Sequence, residues 1–381
     1  MHDNSKGRTL DFLFINGGIT LGPNGGYEIT YKIATGLEHR GYSVGILFIR
    51  DIFRQILTQY PSENLNIYVK NHAFYSIFSN LVNRKLGWIP KRLIRMIKNV
   101  EYEENFGSVD IFFSDGTTSP RCDIAIANGW HNALIMQKIQ NVSKRYILAQ
   151  QDDADARWNP DLHDIAKVGL LLGFPIISTN NEVSRKYSSL VKGQIPLAID
   201  HAVFRCATPP ETRKNGALLI PLRSFKHKGL ELGLAILERI HREAPTLKLM
   251  AFGDVSSSLV PPYVRYFGVV SGTRLSYLYN EATVFILPSL VEGFGLTALE
   301  AMACGSVVVS TDNEGVREFI KNGINGIIVK EFDPEKIVST VIDILKSDNK
   351  RIKIANNGVS TALKYTTDSM VESFLKLVRE N

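Results

Sequence analysis

Short apolar runs alternate along the chain with longer stretches in which apolar positions recur at helical spacing. This alternation predicts βα units stacked into parallel sheets. In the first half, the predicted strands are residues 12–16, 44–49, 110–113, 123–127, 146–149 and 176–179. The pattern restarts in the second half, with predicted strands at residues 217–220, 247–252, 283–287, 307–310 and 326–329. We therefore expect an α/β fold of two Rossmann-like, doubly wound parallel-sheet domains that face each other across a cleft.

The two halves are separated by residues 206–216, which are rich in Pro, Gly and charge and have almost no apolar periodicity. Such a composition is typical of a linker. We predict an N-terminal domain over residues 1–207 and a C-terminal domain over residues 208–366, each of the usual size of about 150 to 200 residues. Residues 367–381 contain an amphipathic helix that follows the completed second sheet. We expect this helix to pack elsewhere, with the N-terminal domain as the candidate surface.

The composition is that of an ordinary globular protein, with 44% hydrophobic and 22% charged residues. The cysteines, Cys122, Cys206 and Cys304, form no CxxC pair, so we expect reduced thiols in a cytoplasmic protein. No run reaches the about 18 apolar residues of a membrane span, and residues 1–9 lack the apolar core of a secretory signal. The formal net charge of +6 is modest, and we predict no nucleic-acid partner.

The strongest chemical signal lies in residues 288–305, PSLVEGFGLTALEAMACG. A buried strand ends there, a glycine-bearing loop follows, and a helix of good formers begins near Leu296. Free amides at the helix start favour a phosphate, and glycine lets the backbone approach it closely. Glu292 and Glu300 flank the loop, and carboxylates accept hydrogen bonds from vicinal hydroxyls. A phosphate cradle between two hydroxyl acceptors describes a nucleotide sugar; the alternative is an ordinary βα turn with surface glutamates.

The spacing of Glu292 and Glu300 resembles the E-x7-E motif of glycosyltransferase family 4, which comprises retaining enzymes of the GT-B fold. Further matching pieces of the second half are Leu222-Arg223, Lys228-Gly229, Gly253-Asp254, Phe267-Gly268-Val269, Gly315-Val316-Arg317-Glu318 and Asn325-Gly326. Looser matches in the first half are residues 23–26, 41–44 and 196–200. The neighbourhood of Gln151-Asp152 is similar to bacterial rhamnosyltransferases. The resemblance implies an N-terminal acceptor domain and a C-terminal nucleotide-sugar donor domain.

The resemblance also implies a role for each matched residue. Glu300 would bind the nucleotide ribose, and Glu292 the hydroxyls of the donor sugar. Arg223 and Lys228 would hold the diphosphate, and their charge would offset its departure. The remaining donor-binding residues come from the loop and the helix start: Gly293, Phe294, Gly295, Leu296 and Thr297. A solvated basic loop around Arg223 and Lys228 is the alternative.

Two features of the first half are further candidates. Gly25 and Gly26 follow the first predicted strand and open a helix, where the backbone would approach the donor phosphate or the acceptor. They do not spell the GxGxxG of dehydrogenases, and a flexible turn is the alternative. His131 follows the predicted strand at 123–127, and the resemblance implies a histidine of the acceptor pocket near this place. A hydrogen-bonded structural histidine is the alternative.

Together these patterns predict a metal-independent, retaining transferase that moves a hexose from a nucleoside diphosphate sugar to a hydroxyl of a saccharide or lipid-linked acceptor. We expect it to act in the synthesis of cell-surface polysaccharide or glycoconjugate, with the nucleotide sugar as co-substrate and no cofactor. Asp153 and Asp155 spell DxD but lie outside the fold that uses this triad, so we predict no metal site. Two alternatives stay open: another GT-B sugar-nucleotide enzyme, such as an epimerase or a phosphorylase, and a non-catalytic nucleotide-sugar-binding subunit.

Residues 64–100 contain no Asp or Glu, yet they carry a run of basic residues: Lys70, Arg84, Lys85, Lys91, Arg92, Arg95 and Lys98. Interleaved apolar and aromatic residues, Trp88 among them, suit a membrane interface. Each basic residue near an anionic leaflet contributes about 1 kcal/mol. We therefore expect the N-terminal domain to dock reversibly on the inner face of an anionic membrane. The alternative is that the bases form a solvated face or bind an anionic acceptor.

Overall fold

The computed structural model describes residues 9–17, 25–49, 109–114, 119–155, 163–213 and 216–380. The basic segment 64–100, on which the expected membrane docking rests, lies outside these residues. Within them, no helix combines the length and the apolar character needed to cross a membrane. The chain divides into two compact units. The first ends at Pro196 and includes the chain again from Met370 onward, and the second is Leu197–Ser369.

The first unit is built on a seven-stranded sheet. Its strands are β1 (Leu10–Gly17), β2 (Val44–Ile49), β3 (Asp110–Ser114), β4 (Cys122–Asn128), β5 (Val142–Ala149), β6 (Ile176–Ser178) and β7 (Val191–Gln194). The order is β3-β2-β1-β4-β5-β6-β7, and the described pairings are parallel. In the central strand, Phe12 pairs with Val44 on one side and with Ile124 on the other. Such strands are covered on both faces, which is why they appear in the sequence as continuous apolar runs.

Five helices of the described chain belong to the first unit: α1 (Gly25–Glu38), α2 (Trp130–Met136), α3 (His163–Leu170), α4 (Asn181–Lys186) and the C-terminal α10 (Thr367–Arg379). The apolar side of α10 is buried, and the ring of Phe374 lies 5.9 Å from that of Phe12 and 6.0 Å from that of Phe14. This helix therefore covers β1, although it follows the whole second sheet in the sequence.

The second unit is built on a six-stranded sheet. Its strands are β8 (Ala217–Leu222), β9 (Lys248–Gly253), β10 (Arg265–Tyr266), β11 (Val284–Leu287), β12 (Val307–Thr311) and β13 (Ile327–Val329). The order is β10-β9-β8-β11-β12-β13, again with parallel pairings. Its helices are α5 (Leu230–Glu243), α6 (Gly272–Glu281), α7 (Leu296–Ala303), α8 (Pro334–Lys346) and α9 (Asp348–Ala362). Apolar residues of α5 and α8 pack in one core with β8, β9, β11 and β12.

The segment that precedes β8 is bound tightly to the second unit. The side chain of Asn280 donates to Arg205 O at 3.0 Å and accepts from Thr208 N at 3.1 Å. The buried guanidinium of Arg213 donates to carbonyls at the ends of α6 and α7: Tyr279, Ala282 and Cys304. Because these bonds tie the predicted linker to the second sheet, the division between the units falls earlier than Thr208.

Each sheet reverses its strand order at one point. In the first sheet β1 lies between β2 and β4, and in the second sheet β8 lies between β9 and β11. Two neighbouring strands meet at such a reversal, and the loops after their carboxyl ends run to opposite faces of the sheet. Ligands bind in the crevice between these two loops. The predicted doubly wound fold is confirmed. A site is therefore expected at the carboxyl ends of β1 and β4, and at those of β8 and β11.

The apolar pattern does not predict two short strands, β7 and β10. Both lie at an edge of their sheet, and their sequences, VKGQ and RY, are mostly polar. An edge strand pairs on one side only and buries little side-chain surface, so no apolar run marks it.

Candidate functional site

The loops that follow β8 and β11 lie against each other at the reversal of the second sheet. Gly229 has a φ of +70°, and a Cβ at this position would lie 2.1 Å from the carbonyl oxygen of Pro288. Only glycine permits this approach. The carbonyl of His227 also accepts hydrogen bonds from Leu290 N at 2.8 Å and Val291 N at 3.2 Å. Backbone contacts therefore hold the β8 loop against the start of the β11 loop.

These contacts bring Lys228 to Glu292. The Nζ of Lys228 lies 2.9 Å from Oε2 of Glu292, and the two side chains are 23% and 13% exposed. The pair offers a cation that suits a phosphate and a carboxylate that accepts from hydroxyls. Burial and then the charge of Lys228 lower the pKa of the neighbouring His227, so that this ring adds no second positive charge near pH 7.

Glu300 lies on α7 and is 8% exposed. Its Oε2 accepts a hydrogen bond from the hydroxyl of Tyr279 at 3.2 Å. Tyr279 is fully buried, and its burial, followed by the charge of Glu300, raises the pKa of its hydroxyl well above the usual range. Tyr279 therefore stays protonated and acts as a permanent donor to the carboxylate.

In the turn that leads into α7, backbone groups are more available to a ligand than side chains are. Phe294 is 4% exposed, and its ring packs 5.4 Å from that of Phe319 and 5.9 Å from that of Tyr365. Gly295 precedes the helix with a φ of +90°, and in the described chain no side chain caps α7. The partly exposed residues of the turn are Gly293, Leu296 and Thr297. The first amides of α7, with the positive end of the helix dipole, thus suit an anionic group.

Arg223 follows β8 and lies at the same edge of the sheet. Its guanidinium carbon is 5.9 Å from the centre of the Phe252 ring, a cation–π contact. The carboxylate of Asp254 accepts from Ser224 N at 2.7 Å, and Asp254 N donates to Leu222 O at 3.2 Å. The end of β9 therefore fixes the first part of the β8 loop, at Arg223, while the end of β11 fixes its later part, at Lys228.

In the first unit, the candidates lie at the reversal between β1 and β4. Gly25 and Gly26 are the first residues of α1. His131 is in the first turn of α2, directly after β4, and its Nε2 lies 3.2 Å from Nδ2 of Asn132. Although the side chain is partly exposed, burial of the ring lowers the pKa of His131 to about 4. The ring is therefore neutral at pH 7 and suited to accept a hydrogen bond from a hydroxyl.

The acidic run after β5 is buried at Asp152 and partly exposed at Asp153 and Asp155. Asp152 is fully buried, accepts from the hydroxyl of Tyr187 at 2.8 Å and pairs with the ammonium of Lys186. Burial raises the pKa of Asp153 to about 6. Oxygens of three carboxylates lie within 4.8 Å of one another: Asp152, Asp155 and Glu182. Because a cation and a hydroxyl already compensate Asp152, we assign this residue to holding α4 against the β5 loop.

The site of the second unit lies within residues 213–361, which match the family described as glycosyl transferases group 1. An uncharacterized glycosyltransferase of Methanocaldococcus jannaschii is 32% identical over 162 residues, which cover 40% of this chain and 42% of the relative. The N,N'-diacetylbacillosaminyl-diphospho-undecaprenol alpha-1,3-N-acetylgalactosaminyltransferase of Campylobacter jejuni is 32% identical over 114 residues, covering 30% of each chain. The matched region spans less than half the length of either relative.

Two solved structures resemble the whole chain. HepE of Anabaena, in complex with UDP and glucose, has a TM-score of 0.66 at 13% identity and covers 97% of this chain and 99% of its own. Sucrose-phosphate synthase from Thermosynechococcus elongatus has a TM-score of 0.70 at 14% identity and covers 98% of both chains. At this identity the likeness shows the fold, which is GT-B. The family match over residues 213–361 and the similarity to proteins named glycosyltransferases support a transferase enzyme of the glycosyltransferase class.

The motifs of the sequence predict Lys228 and Glu292, which the structure brings into contact, but they miss Tyr279. The contact between Tyr279 and Glu300 spans 21 residues and joins two helices, so no local pattern marks it. The one available signal is a tyrosine amid the buried apolar positions of α6, since a buried hydroxyl needs a partner.

We expect Tyr279→Phe to weaken the use of a nucleotide-sugar donor. The variant keeps the ring but removes the hydrogen bond to Glu300, and a bond to a charged group contributes about 1.5–3 kcal/mol. The donor KM should rise roughly 10-fold or more with a smaller change in kcat, because the bond acts before and during transfer. Steady-state kinetics measure this. Tyr277→Phe on the same helix, at a position 66% exposed, is the matched control, and equal KM values in the two variants would contradict the role of Tyr279.

The lowered pKa of His131 predicts a pH dependence of stability. Above its ordinary pKa of 6.5 the ring is neutral in the folded and unfolded chains, whereas between 6.5 and about 4 only the unfolded chain binds the proton. The free energy of unfolding of the wild type therefore falls as the pH falls through this window. His131→Gln removes this loss, so the variant should gain stability relative to the wild type from pH 7 to pH 4. Urea unfolding at pH 7, 5.5 and 4 measures the difference, and a constant difference would refute the expectation.

Proposed function

We propose that the chain is a retaining glycosyltransferase of the family 4 type, which moves a hexose from a nucleoside diphosphate sugar to a hydroxyl of a saccharide or lipid-linked acceptor. The observation that carries this proposal is the 2.9 Å pair of Lys228 and Glu292 at the reversal of the second sheet. The same edge of the sheet carries a cation and the amides of a helix start, which match the diphosphate of a nucleotide sugar. It also carries two carboxylates, which match the hydroxyls.

Each of these residues binds a different part of the donor. Lys228 and Arg223 bind the diphosphate, while Glu300 accepts from the ribose and Glu292 from the sugar. In the transfer, the bond between the anomeric carbon and the diphosphate breaks, and the acceptor oxygen bonds to that carbon on the same face. The acceptor proton passes to the departing diphosphate. Because negative charge grows on this group as the bond breaks, the two cations stabilise the transition state more than the bound donor.

The first unit takes the acceptor in this proposal. The neutral ring of His131 accepts a hydrogen bond from an acceptor hydroxyl, and the amides of Gly25 and Gly26 approach a phosphate or the acceptor. HepE is described with UDP and glucose, and the Campylobacter relative is named for a diphospho-undecaprenol compound and an N-acetylgalactosaminyltransferase. These descriptions support a nucleotide sugar as donor and a saccharide or lipid-linked acceptor. The pathway we propose is the synthesis of cell-surface polysaccharide or glycoconjugate.

The proposal is tested by a thermal-shift screen against UDP, GDP, ADP and dTDP sugars, followed by kinetics with the donor that binds. A ligand at 100 times its Kd adds about 2.7 kcal/mol of stability, so one nucleotide family should raise the Tm clearly. Glu300→Gln replaces a charged acceptor by a neutral one, and we expect kcat/KM for this donor to fall roughly 10- to 150-fold.

The matched control is Glu243→Gln, an exposed glutamate at the end of α5 on the amino side of the same sheet. It should bind and transfer as the wild type does. Absence of any shift with all four nucleotide families would overturn the proposal, and unchanged kinetics of a folded Glu300→Gln variant would remove Glu300 from the site.

We further propose that the acceptor is met at an anionic membrane surface, with support from the basic run in residues 64–100. We expect co-sedimentation with vesicles that contain anionic lipid, with weaker binding as salt rises because screening reduces the attraction. Binding should fall when Arg84, Lys85, Lys91 and Arg92 are all changed to Gln. Equal recovery in the supernatant with anionic and neutral vesicles at low salt would disprove membrane docking.

A further inference from the structure

Buried polar side-chain atoms that lack a hydrogen-bond partner are concentrated in the first unit. Within the described chain they are Oδ1 and Nδ2 of Asn16, Oγ1 of Thr30, Oδ1 of Asn132 and Nε of Arg145, and none lies in the second unit. The other guanidinium nitrogens of Arg145 donate to nearby backbone carbonyls, so this side chain belongs to the fold. Buried amides are rarely left without a partner, because the folded chain then loses hydrogen bonds that water gives the unfolded one.

Asn16 lacks partners at both ends of its amide, and its side chain is 0% exposed. It lies at the carboxyl end of β1, directly after the pair of Ile15 with Ala127. Asn128 follows the same pair in β4. Asn16 therefore stands at the reversal of the first sheet, where ligands of doubly wound sheets bind.

The end of β4 carries a connected group of amides. Oδ1 of Asn128 accepts from Nε2 of Gln150 at 2.8 Å, and the backbone carbonyl of Asn128 accepts from Nδ2 of Asn132. The second bond fixes which end of the Asn132 amide is the donor, because a carbonyl oxygen only accepts. The buried Oδ1 of Asn132 is therefore an acceptor without a partner in the described chain. The reversal thus has unpartnered amide groups on both sides, Asn16 after β1 and Asn132 after β4.

We infer that Asn16 and Asn132 bind hydroxyl groups of an uncharged saccharide, which is the part of the acceptor that the first unit holds. Both free Oδ1 atoms need a donor, which an ionised phosphate or carboxylate does not provide. An ammonium group donates but cannot accept from Nδ2 of Asn16. A hydroxyl does both, and a saccharide carries hydroxyls on adjacent carbons. This inference rests on the proposed function, and it names the chemical class of the acceptor.

The test measures the binding of simple glycosides to the full chain by saturation-transfer-difference NMR. The probes are the methyl glycosides of glucose, galactose, mannose and rhamnose, each with and without the nucleoside diphosphate that raises the Tm most. We expect the wild type to bind at least one glycoside, and inorganic phosphate at equal ionic strength not to displace it. Asn16→Leu should weaken this binding roughly 10-fold or more, because both ends of the amide lose their contacts with the ligand.

Asn16→Leu should not lower the Tm, because an apolar side chain of similar volume replaces a buried amide that has no partner within the described chain. Thr30→Val is the matched control, since it replaces another unpartnered buried polar atom, within α1, by an apolar group of the same shape. It should bind the glycoside as the wild type does. If Asn16→Leu does not fold, Asn16→Ser is the second variant, with a donor and an acceptor on a shorter side chain. It should bind the glycoside more weakly than the wild type does, with unchanged affinity for the bare nucleoside diphosphate.

Unchanged glycoside binding in the Asn16 variants would overturn the inference, and so would an equal loss in Thr30→Val, which indicates a displaced α1. Displacement by phosphate would make the ligand anionic and overturn it as well. If a nucleotide sugar raises the Tm but none of the glycosides binds, the proposed function stands and the inference fails. If a glycoside binds through Asn16 but no nucleotide sugar binds, the proposed function fails and the saccharide site stays.

Discussion

The site of the second unit depends on the absence of a side chain at Gly229. A Cβ there would lie 2.1 Å from Pro288 O, so any other residue would push the β8 loop away from the end of β11. An ion pair at a protein surface contributes about 0–1 kcal/mol, too little to hold two loops together. The backbone contact therefore comes first, and the pair of Lys228 with Glu292 follows from it.

The two glutamates of the E-x7-E motif have partners of different kinds. Glu292 faces the ammonium of Lys228, whereas Glu300 accepts from the neutral hydroxyl of Tyr279. A cation can turn from one anion to another, so in the proposed function a diphosphate would compete for Lys228 and leave Glu292 to accept from the sugar. A buried hydroxyl whose pKa is raised has no such alternative, and it keeps Glu300 in one position. The motif thus combines one glutamate whose partner can be replaced, Glu292, with one that is held in place, Glu300.

The sequence predicts those parts of the molecule that local rules determine. The fully buried strand β11, VFIL, is an apolar run, and the loop after it carries its glycines and glutamates within a few residues. Tyr279 and Arg213 act through contacts that span 21 to 91 residues, for which no local pattern exists. The segment before β8 looks like a linker because its polar residues bind carbonyls and amides of the second unit, which composition alone does not reveal. Glu314 has a φ of +64°, which is uncommon for a residue with a side chain, so sequence rules predict another conformation there.

Polar groups have different partners at the amino and the carboxyl ends of the strands of the second sheet. At the amino edge, the carbonyl ends of α6 and α7 satisfy the buried guanidinium of Arg213, and Asn280 uses both ends of its amide. At the carboxyl edge, no described side chain caps the start of α7, and Glu314, which is bridged to Glu292, has a φ of +64°. Departures from local consistency are expected where a ligand completes the structure. The carboxyl edge, where no described side chain caps the first amides of α7, is therefore the one suited to receive an anionic ligand.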